Sequence, residues 1–236
     1  MGVGVSGWRL ARAVSRLGHL GVVSGIGANT LLIRRLQDGD AGGHVRRALG
    51  RFPDADFARA VLELYFLPAG RAPGQPYRLS PLPSLEPTRF LQQLIAAGTF
   101  CEVFLAEEGH GGRVGINVLE KLVLTNLPAL YGAMLAGVDH VLVGAGIPRE
   151  IPGALDRLAR REEAALRVPV AGAAGDEPLL TRFDPAAVLG AAAPATLARP
   201  AFLAIVSSAT LAQHLLRASN GRVDGFIVEG PRARID

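Results

Sequence analysis

The residues of this 236-residue sequence with the means to do chemistry stand at the ends of apolar runs. Gly115-Ile116-Asn117-Val118-Leu119 ends on the polar pair Glu120 and Lys121, and Asp139-His140-Val141-Leu142-Val143 runs into Gly144-Ala145-Gly146. The run 223–228 closes on Glu229-Gly230, and the sequence opens on Met1-Gly2-Val3-Gly4. Main-chain N–H and C=O groups at such ends, with one amide and one carboxylate, suit the edge of a flat, polar-edged cofactor such as an isoalloxazine ring. The plain alternative, that these are turn glycines and nothing more, stays open on pattern alone.

Other chemistries fit less well. Gly2-x-Gly4-x-x-Gly7 before a helix matches a dinucleotide fingerprint, but that site needs an acidic residue about 20 positions on, and the first one here is Asp38. The histidines (His19, His44, His110, His140 and His214) lack the spacing of metal ligands. No G-x-S-x-G elbow is present, and Ser207 and Ser208 read as helix caps. Glu107-Glu108 reads as a solvated loop pair. Cys101 is the only cysteine, so no intrachain disulfide exists and a reducing cytoplasm is the natural setting. Its place in an apolar run makes it a buried, inert thiol.

The elements that must position these groups follow from periodicity. Between the runs 115–119 and 139–143, Leu130, Met134 and Val138 mark one helical face, with Pro128 suited to a first turn and Gly137 to a helix end. Strand, helix, strand is the parallel βαβ unit, whose ligands sit beyond the carboxyl ends of the strands. Upstream, 1–6 reads as the end of a strand. A helix over 7–17 follows, capped by Ser6 and closed by Gly18, then a strand over 20–24 and the turn Gly25-Ile26-Gly27. Segments 31–37, 43–51, 56–67 and 88–97 read as helices, and the six prolines in 68–87 forbid regular structure there. Residues 29–98 therefore read as a helical, proline-rich insertion, leaving 1–28 and 99–236 as the main body.

Further on, 100–106 reads as a strand, 148–161 as a helix and 202–208 as a buried strand. Ser208 caps a helix over 209–218 with Leu211, Leu215 and Ala218 inward, and 223–228 is a last strand. The stretch 166–197 has no clear pattern.

A hydrophobic share of 49% and a mean hydropathy of +0.28 fit a sheet apolar on both faces. The net charge of +4 is spread over scattered arginines, with Lys121 the only lysine, so no concentrated basic face points to a nucleic-acid partner. The longest uncharged run, 122–138, falls short of the ~20 residues of a membrane span. Arg9, Arg12 and Arg16 lie opposite Leu10, Val14 and Leu17, which makes an amphipathic helix rather than a signal peptide. No membrane partner is expected, and nothing in the sequence sets the oligomeric state.

M-G-V-G-V-S-G-W-R-L-A-R-A-V-S, G-I-N-V-L-E-K, L-Y-G-A-M-L-A-G-V-D, G-A-G-I-P-R-E-I-P-G and V-D-G-F-I-V-E-G-P together resemble the nitronate monooxygenase (2-nitropropane dioxygenase) family over residues 1–231. That family, like the similar flavin-dependent enoyl-acyl-carrier-protein reductases, is a (β/α)₈ TIM barrel with FMN at the carboxyl ends of its strands. The resemblance implies that Met1 and Gly2 lie against the flavin by main chain and that Asn117 hydrogen-bonds its ring or tail. Gly144, Ala145, Gly146, Glu229 and Gly230 would line the same mouth, with Lys121 a further candidate. It implies oxidation of an alkyl nitronate with O2. The alternatives are FMN-dependent and NAD(P)H-dependent reduction of an enoyl thioester, as in lipid or polyketide synthesis, or a non-catalytic remnant.

The sequence departs from the family pattern after Pro231. It reads Arg-Ala-Arg-Ile-Asp where the family carries Ala-Gly-Gly-His, and two later glycine loops for the FMN phosphate do not follow. The expectation is an incomplete barrel of five or six strands, shortened at its C-terminus, with weak or absent FMN binding and little activity.

Overall fold

The computed structural model describes residues 2–170 and 178–230. The chain runs α1 (Trp8–Arg16), β1 (Gly21–Ser24), α2 (Ala28–Gln37), α3 (His44–Leu49), α4 (Ala55–Tyr65), α5 (Arg89–Glu107), β2 (Val114–Leu119), α6 (Val123–Ala136) and β3 (His140–Gly144). It continues through α7 (Ile151–Ala159), β4 (Ala164–Arg167), β5 (Leu180–Phe183), α8 (Pro185–Leu189), a 3-10 turn at 190–192, β6 (Ala201–Val206), α9 (Ala209–Ala218) and β7 (Gly225–Val228).

Five strands form one parallel sheet in the order β1-β2-β3-β6-β7, while β4 and β5 pair antiparallel outside it. The chain is thus a mixed α/β protein. The order of the five strands never reverses, and right-handed crossovers then deliver every connecting helix to the same face. Side-chain burial shows this directly. Val23, Val114, Ile116, Val141, Val143, Phe202 and Ala204 share one face by register and are fully buried. They join Trp8, Leu94, Leu127, Leu155 and Leu215 of α1, α5, α6, α7 and α9 in a single core. The opposite face carries Val22, Leu119, Leu203, Ile205 and Ile227, which are only half-buried and stand outside that core, around a buried row of Ser24, Asn117 and Leu142. The sheet is therefore covered on one face, not on both as its hydropathy suggests.

The segment 100–106 is not a strand. It is the second half of α5, a 19-residue helix whose start is fixed by Thr88, whose side chain accepts from Leu91 N. A short apolar run cannot be told from a buried helix by periodicity, and α5 is buried nearly all round. It runs unbroken across 98–99, the expected edge of the insertion. It also packs very closely on α6: a Cβ on Gly132 would lie 2.0 Å from Ala96 O, and Thr99 Oγ1 donates to Ala129 O at 2.8 Å.

Four further expectations fail. Residues 2–6 form a turn rather than a strand end, with Gly2 O accepting from Val5 N and Ser6 N. Ser6 does not cap α1. Its start is satisfied from outside by buried Glu102 of α5, whose Oε2 accepts from Trp8 N at 2.9 Å while Oε1 pairs with Arg35. Pro128 sits inside α6, not in its first turn, because the helix begins at Val123. In α9 the Ser208 cap forms as expected, but Ala218 is exposed and Ala212 packs on the core instead.

The two ends of the sheet are built differently. At the amino ends of β6 and β7, Asp224 accepts from Phe202 N at 2.8 Å and pairs with Arg199 and Arg222. At the carboxyl ends, loops of backbone and small residues meet.

Candidate functional site

At the carboxyl edge of the sheet, the register places Ser24, Asn117 and Leu142 in one row and Leu119 beside Gly144 one step further out. Asn117 is buried at 3% exposure on the uncovered face. Its Nδ2 donates to Leu142 O at 3.2 Å, and its main-chain O accepts from Gly25 N at 2.9 Å. The neighbouring strands thereby fix the amide and leave Oδ1 as its remaining polar end.

Beyond Asn117 the β2–α6 connection is held by a residue that the sequence pattern did not single out. Buried Asn126 donates from Nδ2 to Leu119 O at 2.9 Å and to Glu120 O at 3.3 Å. Glu120 N donates in turn to Gly144 O at 2.9 Å, joining this connection to the end of β3. The Glu120 side chain lies over Gly146, where an added Cβ would fall 2.0 Å from Oε2. Ala145 between the two glycines has φ 56°, a left-handed conformation that a non-glycine residue adopts only at some cost. Burial pushes the Glu120 carboxyl above its usual range, the Glu150 carboxylate adds to this, and Arg149 opposes it.

The other expected residues are spread along the same edge. The turn holding Gly2 leans on the end of β1, where Ser24 N donates to Ser6 O at 2.8 Å, but Gly2 itself is exposed. Lys121 is exposed. Glu229 N donates to Val206 O at 2.8 Å and so extends the β6–β7 pairing, while the side chain of Glu229 and all of Gly230 are exposed. Met1 lies outside the described residues. The structure thus joins Asn117 with Gly144, Ala145 and Gly146 at adjacent strand ends, and sets Gly2 at one flank and Glu229 and Gly230 at the other.

Glu107 and Glu108 are not a solvated loop pair. Glu108 holds Arg47 through two hydrogen bonds of 2.8 Å, and Glu107 ends α5 half-buried near Gly137. Burial, with the Asp139 carboxylate second, pushes Glu107 up to about 8. Cys101 is buried, and burial raises its thiol well above the usual value, so no thiolate is available there.

Between this edge and the β4–β5 pair lies a cavity of about 330 Å³, reached by Glu120, Ile147, Arg149 and Leu166. Of the charged residues around it, Arg167 belongs to the stretch 166–197 that carried no clear sequence pattern. Among the described residues, no cluster of three or more His, Cys, Asp or Glu is placed to hold a metal ion. No described helix is long and apolar enough to cross a membrane.

A flavin is tested by what these residues offer. A buried amide with one free polar end, set on an uncovered sheet face beside a tight main-chain turn, fits the ring portion of such a group. The chain matches no protein-family model and no curated protein.

Proposed function

We propose that the chain is an FMN-dependent oxidoreductase of the nitronate monooxygenase type, built on part of a (β/α)₈ barrel and retaining its flavin weakly. The observation that carries this is the sheet itself: five parallel strands whose order never reverses, helices on one face only, and polar residues gathered at the carboxyl edge of the other face. A doubly wound sheet would reverse its strand order and cover both faces. A barrel keeps sequential order, holds its helices outside and binds ligands at that edge.

Bound there, FMN would supply the electron-accepting and electron-donating chemistry. The protein's share is placement. Asn117 would meet the ring with its amide, the turn at Gly144 to Gly146 would set how closely the ring approaches, and the half-buried Val22, Leu203 and Ile205 would keep water from its face. Glu120 stands at the same edge as a carboxyl able to hold or release a proton.

The test is oxygen consumption by the purified chain with added FMN and an alkyl nitronate, run beside NAD(P)H oxidation with an enoyl thioester. Flavin-dependent oxygen uptake with the nitronate supports the proposal. Turnover of the enoyl thioester alone moves the chain to the reductase reading, and a preparation that takes up no flavin leaves it a non-catalytic remnant.

A further inference from the structure

The prolines of 68–87 close that stretch to helix and sheet pairing, but not to polyproline II, which has three residues per turn and no internal hydrogen bonds. Its second half has that character. Pro81 and Pro83 fix their own φ and push Ser80 and Leu82 toward the extended region. Thr88, where the stretch enters α5, has φ −63° and ψ 151°, the polyproline II values. Among the described residues, no main-chain N–H from 79 to 86 finds a hydrogen-bond partner, so this backbone is left to solvent. Side-chain burial follows the same period of three. Tyr77 and Ser80 are half-buried: the Tyr77 hydroxyl donates to Asp38 at 2.8 Å, and Ser80 Oγ accepts from Asn29 Nδ2 at 2.8 Å. Leu79 and Leu82 face outward, 73% and 85% exposed, and Leu85 follows at the bend that returns the chain to α5.

The segment is fastened beneath this ridge. Buried Gln37 of α2 clasps Arg78 from both sides, its Oε1 accepting from Arg78 N at 2.7 Å and its Nε2 donating to Arg78 O at 3.0 Å. Arg71 lies over the Tyr77 ring, 3.4 Å from its centroid, and pairs with Asp38. Much of the ordering that an extended ligand otherwise undergoes on binding is therefore already complete. A single exposed leucine is ordinary. Two leucines one polyproline turn apart, ~9 Å along the axis, each next to a proline, form the ridge that aromatic-lined grooves take. A second copy of this chain cannot supply such a groove, because none of its tryptophan, tyrosine or phenylalanine side chains is exposed.

We propose that residues 78–84 are a docking segment for a different protein, one with an aromatic-lined groove that receives Leu79 and Leu82 with the prolines beside them. The segment stands in the proline-rich part of the chain, apart from the carboxyl edge of the sheet, and needs no flavin.

The test is nuclear magnetic resonance titration of isotope-labelled SH3 and WW domains, whose grooves are lined by aromatic rings, with the purified unlabelled chain. At least one of the two shows saturable shifts confined to its groove. Leu79→Asp and Leu82→Asp each weaken that binding at least fivefold, while Leu17→Asp, comparably exposed at the end of α1, leaves it unchanged. All three side chains stand in solvent, so each variant keeps the parent's circular dichroism spectrum. Groove shifts in neither domain would overturn the proposal. So would an equal loss in Leu17→Asp, which would make the contact general apolar adhesion. A dimer of the chain alone that Leu82→Asp dissolves would assign the ridge to a second copy and overturn it too. The first readout uses the unaltered chain, and none of them depends on the outcome of the nitronate assay.

Discussion

Glu120 and Gly146 occupy each other's space: a methyl group on Gly146 would lie 2.0 Å from Glu120 Oε2 and 2.9 Å from its Cβ. The carboxyl can rotate away, but the Cβ cannot. Gly146→Ala is expected to cost about 1–3 kcal/mol, the usual range for overpacking. Most of that cost should disappear in a Glu120→Ala background, since contacting residues couple by ~0.5–3 kcal/mol. Urea unfolding of the two single variants and the double variant measures the coupling. Additive losses would mean that the two residues do not touch.

The α5–α6 contact is less forgiving. A Cβ on Gly132 would meet the backbone oxygen Ala96 O at 2.0 Å, and backbone in a packed helix pair has nowhere to go. Gly132→Ala should lose about 3 kcal/mol or more. Gly111→Ala, where nothing lies within 4 Å, should stay within ~0.5 kcal/mol of the parent. Denaturant midpoints of the pair decide this.

Much of the sheet was legible because its strands are short apolar runs bounded by turn residues. The segments 20–24, 115–119 and 223–228 all contain strands, and Ser208 caps α9 as its sequence suggests. Where the sequence misled, the deciding contact was distant. Glu102 satisfies the start of α1 from 94 residues away, a partner no local pattern reveals. The run 100–106 has the length and apolarity of a strand, and only its burial on all sides as part of α5 makes it a helix. The candidate site divides the same way. Asn117 and Gly144 to Gly146 were visible as strand ends, whereas Asn126 takes its role only when α6 folds back on Leu119 and Glu120, and Glu150 and Arg167 meet only after β4 packs beside the β3–α7 loop.

Tyr131 is fully buried against Phe183, with ring centroids 5.2 Å apart, and among the described residues its hydroxyl has no hydrogen-bond partner. Burial pushes that hydroxyl up to about 12, against the pull of Arg161. An unsatisfied buried polar group costs ~1–3 kcal/mol. Tyr131→Phe should therefore be neutral or stabilising by up to about 1 kcal/mol, unusual for a core tyrosine. A lower midpoint in thermal unfolding would show that the hydroxyl has a use.

Stability should also carry a signature of Glu107. Its carboxyl is raised from 4.5 to about 8 in the folded chain, by burial first and by Asp139 second. The folded state holds this proton more tightly than the unfolded state. Its contribution is complete below pH 4.5 and is lost as the pH climbs through 8. Glu107→Gln cannot ionise, so its melting temperature relative to the parent should rise steadily across that window. A constant difference between pH 4.5 and pH 8 would contradict it. Glu107 lies at the amino ends of β2 and β3, far from the candidate site, so ligand affinities should not change.

The central claim is that the carboxyl edge of the bare sheet face receives a flavin, and Asn117 is the residue most committed to it. The direct measurement is fluorescence titration of FMN with the purified chain and with Asn117→Ala. The account predicts saturable but weak binding by the unaltered chain, and a loss of roughly fivefold or more in Asn117→Ala, the worth of about one hydrogen bond. No binding to the unaltered chain, or equal binding to both, would contradict it.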